Sequence, residues 1–340
     1  MISRTPDAPQ PARWQRELAA AITDPAELLA RLQLDPALLE PARAAAATFA
    51  LRVPASYLAR MRPGDPHDPL LRQVLPLGAE LTSPPGYLAD PVGDLPAGRV
   101  PGLLQKYRGR ALVITTGACA VHCRYCFRRH YPYAQAQLTP GRRAAILAAL
   151  AGDRQIHEVI LSGGDPLSLG DHRLADLVAA LGEIPHLRRL RLHTRTPIVL
   201  PSRIDGQLSK WLAASRLPMV FVLHANHPQE LDSTVASALA RLRQAGATLL
   251  NQAVLLRGVN DDAETLVRLS ERLFEIGVLP YYLHLLDPVR GAAHFDVPRA
   301  RARALLAEIS GRLSGYLVPR LVREIPGAPA KVPVDLQLAD

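Results

Sequence analysis

The chain has 340 residues, 48% of them apolar, which is enough for a large buried core in one large domain or two modest ones. It has no run of eighteen apolar residues and no apolar signal core at its N-terminus, so we expect neither a membrane span nor secretion. The net charge of +9 could indicate nucleic-acid binding, but aromatic residues are only 5% and the arginines are scattered, so we expect no nucleic-acid partner. The three cysteines fit a reducing cytoplasm.

The first hundred residues predict helices followed by a linker. Trp14, Leu18 and Ile22 recur at helical spacing, and proline and glycine become dense further on. We expect an N-terminal helical region over residues 1–62 and an ordered, proline-rich linker over residues 63–104 that packs on the main domain. Neither segment contains an obvious chemical motif.

Short apolar runs then alternate with longer amphipathic segments. The six runs cover residues 111–115, 158–162, 190–194, 219–223, 249–256 and 280–286. Six strand–helix repeats predict a parallel sheet with right-handed crossovers, and they are too few for a closed eight-stranded barrel. The predicted fold class is therefore α/β, a partial (β/α)6 barrel over residues 105–297, followed by a helix, a strand and a loop over residues 298–340. Chemistry in such folds lies at the C-terminal ends of the strands.

The strongest chemical signal follows the first predicted strand. Cys119, Cys123 and Cys126 are spaced C-x3-C-x2-C and are the only cysteines. Three thiolates can hold three irons of a 4Fe–4S cluster and leave the fourth iron open to a ligand. The alternative is zinc held by the thiolates and His122 or His130, although zinc ligands usually form two separated pairs. A disulfide would leave one thiol free. We therefore predict the cluster.

The other predicted strands also have polar residues at or just past their ends or, in the fifth run, within the strand. These are Ser162-Gly-Gly-Asp165, His193-Thr-Arg195, His224-Ala-Asn226, Asn251-Gln252 and Asp287. One such residue is most often part of a polar loop or a buried histidine with satisfied hydrogen bonds. Polar groups at the same end of six strands favour a shared site, and the glycine pair would let a ligand approach bare backbone.

Lysine is rare in this chain. Of the 40 basic residues only Lys106, Lys210 and Lys331 are lysines, so a retained lysine favours chemistry that arginine lacks. Lys331 lies in the loop Pro326-Gly-Ala-Pro-Ala-Lys331, where it could form a Schiff base with pyridoxal 5′-phosphate (PLP). The alternative is a solvated loop lysine.

In combination these motifs resemble the lysine 2,3-aminomutase family of radical S-adenosylmethionine (SAM) enzymes. The resemblance runs from about residue 65 to the C-terminus and includes the cysteine run with Phe-Arg128-Arg129, Ser162-Gly-Gly-Asp-Pro, His193-Thr-Arg-Thr-Pro, Asn251-Gln-Ala-Val, Pro280-Tyr-Tyr and the lysine loop. The chain stops nine residues after Lys331, which resembles the short branch that makes (R)-β-lysine for modification of translation elongation factor P. We carry over neither the zinc nor the assembly of the longer clostridial-type enzymes.

The resemblance implies an isomerase that converts L-lysine to (R)-β-lysine with a 4Fe–4S cluster, SAM and PLP. It also implies an electron donor such as a flavodoxin or ferredoxin, and a functional link to an elongation factor P ligase. The implied site residues are Cys119, Cys123 and Cys126 for the cluster; Gly163, Gly164, Asp165 and His224 for SAM; Lys331 as the Schiff-base lysine, with Lys106, Arg110 and Gln252, for PLP; Arg128 for the substrate carboxylate; and Asp287 and Glu324 for its distal ammonium.

The sequence departs from the family at two positions. Glu324 replaces an aspartate, which lengthens the arm, and Gly327-Ala-Pro-Ala replaces a glycine run, which stiffens the lysine loop. Two carboxylates directed at one point favour a substrate with a distal ammonium, although Glu324 could instead pair with Arg320 or Arg323. The alternative functions are an aminomutase for another amino acid, a radical SAM enzyme that modifies RNA, and a non-catalytic zinc module.

Overall fold

The structure, a computed structural model, describes residues 11–334, so the parts of the predicted terminal regions at residues 1–10 and 335–340 lie outside it. In the described range the α-helices are α1 (Arg13–Ala19), α2 (Pro25–Arg31), α3 (Leu39–Thr48), α4 (Ala55–Leu58), α5 (Pro69–Arg72), α6 (Tyr133–Ala136), α7 (Pro140–Gly152), α8 (Asp171–Gly182), α9 (Thr196–Val199), α10 (Gly206–Ala213), α11 (Ser233–Gln244), α12 (Ala263–Glu275) and α13 (Arg299–Arg312). The strands are β1 (Gly98–Val100), β2 (Leu103–Leu104), β3 (Arg110–Thr116), β4 (Glu158–Gly163), β5 (Arg189–Thr194), β6 (Met219–Leu223), β7 (Thr248–Val254), β8 (Leu279–His284), β9 (Arg320–Arg323) and β10 (Val332–Pro333).

All of these strands form one sheet whose spatial order follows the chain order. Strands β3 to β8 are the six predicted runs, and they pair in parallel, as the partial-barrel prediction requires. The prediction of fold class is confirmed. Strand β9 adds a further parallel strand beside β8, and β10 pairs antiparallel with β9, which brings the lysine loop to the edge of the sheet.

Two short strands within the proline-rich segment were not predicted. β1 and β2 pair antiparallel with each other, and β2 continues antiparallel onto β3. Both are too short to show the alternating pattern by which strands are recognised in a sequence. They extend the sheet next to the strand that leads into the cysteine run.

The crossover helices begin at conventional caps and bury one face. Asp232 and Asp262 cap α11 and α12 by accepting backbone N–H groups, and Thr139 caps α7 ahead of Pro140. Strand β4 is buried along its whole length, as expected for a parallel strand covered on both faces. The main apolar core therefore lies between the sheet and its outer helices.

The N-terminal helices form a second apolar cluster around Trp14, Tyr57 and Leu70. This cluster also includes Ala120 and Val121, which lie between the first two cysteines. The N-terminal region consequently packs directly on the loop that carries the predicted cluster ligands.

Candidate active site

One cavity of about 520 Å³ opens at the C-terminal ends of the parallel strands. All of the predicted site residues line it, from the three cysteines to Lys331, although they are spread over more than 200 positions in the sequence. The structure therefore brings the complete predicted set together. What each residue does is not decided by its presence in the cavity wall.

The cysteine loop follows β3, and its thiols are partly buried. Burial raises the pKa of Cys119 well above its usual value and that of Cys126 to about 11, so both thiols need a metal to ionise readily. Cys123 accepts a hydrogen bond from Arg195 at 2.8 Å. Among residues 11–334 no three His, Cys, Asp or Glu side chains converge on a single metal ion. A cubane does not need such convergence because each thiolate binds a different iron.

Neither histidine of the alternative zinc site projects freely towards the thiols. His122 Nδ1 lies 2.8 Å from the carbonyl oxygen of Ala50, and its ring stacks on Phe49. His130 is exposed and contacts the carbonyl oxygen of Arg290. The three-cysteine arrangement fits a cluster better than a Cys3His zinc site.

Glu80 braces the cysteine loop from outside the barrel. It accepts hydrogen bonds from Arg124 at 2.8 and 2.6 Å and from Arg129 at 2.7 Å. The side chains of Glu80 and Arg124 are fully buried, and Arg124 also donates to the carbonyl oxygen of Phe49. Both arginines flank Cys126, so one carboxylate from the proline-rich segment holds the loop on both sides of this thiol.

A second buried network lies behind Cys123 and is centred on Arg195. Its guanidinium donates to Cys123 Sγ, Tyr125 Oη, Tyr57 Oη, Gln73 Oε1 and Glu230 Oε2. Glu230 is fully buried and also accepts from the backbone N–H of Asn226 at 2.9 Å. Burial alone would raise the pKa of Glu230, but Arg195 and these hydrogen bonds hold it below its usual value. The carboxylate stays ionised and balances the arginine.

The glycine pair at the end of β4, Gly163 and Gly164, packs on the cysteine loop. A Cβ on Gly163 would lie 2.5 Å from the carbonyl oxygen of Thr116, and one on Gly164 would lie 2.3 Å from that of Ala118. Gly163 also has a φ of +123°, which L side chains rarely adopt. The missing side chains therefore make room for the backbone that leads to Cys119. Both glycines also line the cavity, and their contact with a ligand stays a prediction.

Asp165 is occupied within the protein. Its carboxylate accepts from the backbone N–H groups of Leu167, Arg195 and Thr196 at 2.8–3.0 Å and from the hydroxyl of Thr194. These bonds use the lone pairs of both oxygens. Asp165 therefore joins the ends of β4 and β5, and any direct contact with SAM would have to displace one of these bonds.

Three histidines line the interior of the cavity in the neutral state. Burial lowers the pKa of His224 to about 3, and its Nε2 lies 3.2 Å from the Tyr125 hydroxyl. Burial also lowers the pKa of His193 and His284 well below the usual value. Their Nε2 atoms are buried without a hydrogen-bond partner among the described residues, so they can bind a ligand. His284 was not predicted, because nothing in the strand sequence distinguishes it from a core histidine.

Lys331 is held by Glu324. Its Nζ lies 2.7 Å from Glu324 Oε2, and the other oxygen accepts from the Tyr107 hydroxyl at 2.6 Å. Burial alone would raise the pKa of Glu324, but Lys331 and the hydrogen bonds hold it below its usual value. The alternative pairing of Glu324 with Arg320 or Arg323 is not observed.

Asp287 faces the same space without a partner. No side chain or N–H group in the described range donates to its carboxylate, and burial raises its pKa to about 7 although Lys331 opposes the shift. Arg128 is buried and paired, with Nε 2.6 Å from Asp94 and Nη1 3.0 Å from the Ser162 hydroxyl.

Arg110 and Lys106, the two cations predicted for the PLP phosphate, differ in the contacts that they make within the protein. The Arg110 guanidinium stacks over the Tyr107 ring at 4.4 Å and has no hydrogen bond or ion pair with the rest of the described chain. Lys106 Nζ already contacts the Val92 carbonyl oxygen at 2.8 Å, Asp94 at 2.7 Å and Glu324 at 3.5 Å. Gln252 lines the cavity and makes no side-chain hydrogen bond within residues 11–334. Arg110 is thus the cation available to a phosphate.

A partial barrel with three cysteines after its first parallel strand defines a radical SAM enzyme. The sequence of residues 113–270 matches the family model of the radical SAM superfamily. An L-lysine 2,3-aminomutase of Escherichia coli (strain K12) is 50% identical over 335 residues, which are 98% of this chain and 98% of that protein. One from Haemophilus influenzae is 46% identical over 97% of this chain and 98% of its own. The enzyme of Clostridium subterminale is 37% identical over 82% of this chain and 67% of its own.

The chain belongs to the lysine 2,3-aminomutase family. It is accordingly an isomerase, and membership of the radical SAM superfamily implies a 4Fe–4S cluster and SAM. The described residues include no helix long and apolar enough to cross a membrane.

The sequence missed several residues that build the cavity walls. Tyr57, Gln73, Glu80 and Asp94 all lie in the first hundred residues, where we found no chemical motif. Each is a single polar residue whose partner lies far away in the sequence, so only the tertiary fold reveals that partner. Proline density indicated an ordered segment but not these contacts.

Proposed function

We propose that the protein is a PLP-dependent L-lysine 2,3-aminomutase that produces (R)-β-lysine. The observation that carries this proposal is the pair of carboxylates beside Lys331. Glu324 contacts Lys331 Nζ directly, and Asp287 faces the same space without a partner. Two carboxylates at one point suit a distal ammonium, whereas a glutamate-type substrate would need a cation there.

The three functional groups of lysine each have a counterpart in the cavity. Arg128 provides a guanidinium for the α-carboxylate, and its Nη2 has no hydrogen bond within residues 11–334. Asp287 and Glu324 provide the site for the ε-ammonium. Lys331, which contacts Glu324, would hold PLP, and Arg110 would bind the phosphate. Gln252, with the neutral His193 and His284, offers uncharged groups to the cofactors.

When bound, the cluster and SAM supply a carbon radical that removes a hydrogen atom, and PLP supplies the carbonyl carbon that carries the migrating amino group. The protein binds and orients the reactants around these groups. Gly163 and Gly164 hold the cysteine loop against β4, and His224 contacts the hydroxyl of Tyr125 within the cavity. The N-terminal region covers the cysteine loop, which helps to exclude water from the radical.

The charged groups on Asp287 and Glu324 impose an order on binding. Glu324 is neutralised by the chain's own Lys331 in the structure. If Lys331 held PLP, its ammonium would no longer neutralise Glu324, and that carboxylate would be open to the substrate ammonium. Binding of a cation would also favour the ionised form of Asp287.

The destination of β-lysine and the electron donor rest on the resemblance alone. We propose that β-lysine is used to modify elongation factor P and that a flavodoxin or ferredoxin reduces the cluster in a cytoplasmic enzyme. Supplying the product to elongation factor P and its ligase should add the mass of one lysine residue to the factor. An unchanged mass would leave the aminomutase proposal intact and remove this destination.

The test of the function is an anaerobic assay of the reconstituted protein with PLP, SAM, a strong reductant and L-lysine. Mass spectrometry of derivatised products should show β-lysine only when both cofactors are present. Lys331→Ala should keep its iron, about four atoms per chain, and lose turnover. Lys210→Ala, on the exposed face of α10, should retain both iron and turnover.

The outcomes separate the alternatives. Cleavage of SAM with lysine untouched would indicate an aminomutase for another amino acid. Full activity of Lys331→Ala would remove that lysine from the mechanism. Stoichiometric zinc without iron would favour the zinc module, and salt-dependent RNA binding with no need for PLP would favour RNA modification.

A further inference from the structure

A series of ion pairs with alternating charges runs along the wall of the cavity. Arg128 Nε lies 2.6 Å from Asp94 Oδ2, and Asp94 Oδ1 lies 2.7 Å from Lys106 Nζ. Lys106 Nζ lies 3.5 Å from Glu324 Oε1, and Glu324 Oε2 lies 2.7 Å from Lys331 Nζ. This series of ion pairs thus connects Arg128, proposed for the substrate carboxylate, to Glu324, proposed for the distal ammonium of the substrate.

The two residues in the middle of this series of ion pairs, Asp94 and Lys106, are held in place by burial. The Asp94 side chain is 2% exposed, and that of Lys106 is 20% exposed. Asp94 is further fixed from the backbone side, because Asp90 accepts its N–H at 2.9 Å. Lys106 also donates to the carbonyl oxygen of Val92 at 2.8 Å. Buried charges hold their positions when their partners are satisfied, because moving one leaves another unpaired.

Lys106 is engaged with groups of the protein. It donates one hydrogen bond, to the carbonyl oxygen of Val92, and forms ion pairs with Asp94 at 2.7 Å and with Glu324 at 3.5 Å. A phosphate at Lys106 would compete with these two carboxylates for its charge. Arg110 has no ion pair in the described range and meets no such competition.

We propose that Asp94 and Lys106 are positioning residues that set the spacing between Arg128 and Glu324. This spacing determines the length of the ammonium-bearing side chain that the site accepts. The inference rests on the proposed function, because that function assigns the two ends of the substrate to Arg128 and Glu324. It replaces the role in phosphate binding that the resemblance implies for Lys106.

The physical reason is electrostatic. Without the ammonium of Lys106, the carboxylates of Asp94 and Glu324 lose the cation between them and repel each other. Glu324 is then held by the Tyr107 hydroxyl and, only while Lys331 carries no PLP, by Lys331, so its distance from Arg128 is no longer fixed. A site with a loose end discriminates less between ammonium groups that differ in reach by one methylene.

The experiment compares L-lysine with L-ornithine, which is one methylene shorter, in protein with reconstituted cluster and bound PLP. Without reductant, the change in PLP absorbance on amino-acid binding gives the dissociation constant for each. With reductant and SAM, product formation gives kcat and KM. PLP affinity is measured separately by absorbance titration. The variants are Lys106→Gln and Asp94→Asn, with Lys210→Gln as the matched control on α10.

We expect the preference of the wild type for lysine over ornithine to fall about tenfold or more in Lys106→Gln and Asp94→Asn. The loss should appear in the dissociation constants and KM more than in kcat, while PLP affinity stays within about twofold of the wild type. Lys210→Gln should change nothing. Lys106→Arg keeps the charge with a longer side chain, so it should fold, retain PLP and still alter the preference.

An unchanged preference with PLP affinity reduced about tenfold or more would overturn the proposal, because that is the result expected of a phosphate ligand. A wild type that binds both amino acids equally would also overturn it. Failure of the proposed function is visible earlier, as a wild type that cleaves SAM without changing lysine. If Lys106→Gln does not fold, an unaltered preference in Lys106→Arg is decisive against the proposal.

Discussion

The cavity has two walls: a cluster wall around the cysteine loop, with Glu80 and Arg195, and a proposed substrate wall around Asp287, Glu324 and Arg110. They differ in how many of their charged groups are paired within the protein. On the cluster wall the buried carboxylates are paired, Glu80 with two arginines and Glu230 with Arg195. On the substrate wall Asp287 and Arg110 have no hydrogen bond or ion pair with the described residues. Among the described residues Glu324 contacts Lys106, Lys331 and the Tyr107 hydroxyl.

This difference indicates two different tasks. A cluster that passes an electron to one bound ligand requires its loop in a single geometry, and paired buried charges provide that. A substrate site requires groups whose partner is the ligand, so it retains unpaired charges and perturbed pKa values. Changes on the cluster wall should therefore reduce stability, and changes on the substrate wall should alter binding instead.

The largest effect is expected for Glu80→Gln. The loss of this carboxylate leaves Arg124 and Arg129 buried without their shared anion, which should lower the free energy of unfolding by about 3–5 kcal/mol. Iron retention after anaerobic reconstitution should fall with it. The control is Glu40→Gln, which breaks an exposed pair with Arg43 and should cost less than about 1 kcal/mol. Equal effects of the two variants in chemical denaturation would contradict the distinction between the walls.

A smaller effect is expected for Gly164→Ala. Its Cβ would lie 2.3 Å from the Ala118 carbonyl oxygen, so the loop before Cys119 has to move, at about 1–3 kcal/mol. We expect fewer irons per chain and a lower denaturation midpoint. Gly170→Ala is the control, because nothing lies within 4 Å of its Cβ. Normal iron content in Gly164→Ala would show that the glycine pair does not position the cysteine loop.

A change in stability of opposite sign, which depends on pH, is expected for Asp287→Asn. Because burial raises the pKa of Asp287 to about 7, the folded state binds its proton more tightly than the unfolded state does. The wild type therefore loses stability as pH rises from about 4 to 7, at up to roughly 1.4 kcal/mol per pH unit. Asp287→Asn should be more stable than the wild type at pH 8, and this advantage should vanish near pH 4.

The affinity for lysine should follow the same titration of Asp287, but it should rise with pH where the stability falls. Between pH 6 and 8 the affinity of the wild type should rise by up to about tenfold as Asp287 ionises, while Asp287→Asn should stay weak throughout. Glu308→Gln, on the exposed face of α13, should behave as the wild type does. A pH-independent affinity in the wild type would show that Asp287 does not bind the ammonium.

The sequence predicted those parts of the molecule that have a local signature. The six parallel strands follow from β-branched runs, and the cysteines and Lys331 follow from chemistry that few other residues provide. The braces do not have such a signature. Glu80, Asp94 and Glu230 act through arginines or a lysine far away in the sequence, and an isolated carboxylate in a loop is indistinguishable from a solvated one. The glycine pair was recognised, but its close packing on the backbone before Cys119 was not predicted.

The pairing of β9 with β8 has a consequence for how the enzyme matures. During synthesis the cysteines and the residues that brace them leave the ribosome before Lys331 does, because every brace lies between Tyr57 and Arg195 or at Glu230. The cluster wall can therefore assemble around a nascent chain that still lacks its lysine loop. Addition of β9 and β10 to the sheet edge then completes the cavity, so insertion of iron and sulfide can precede completion of the Lys331 site.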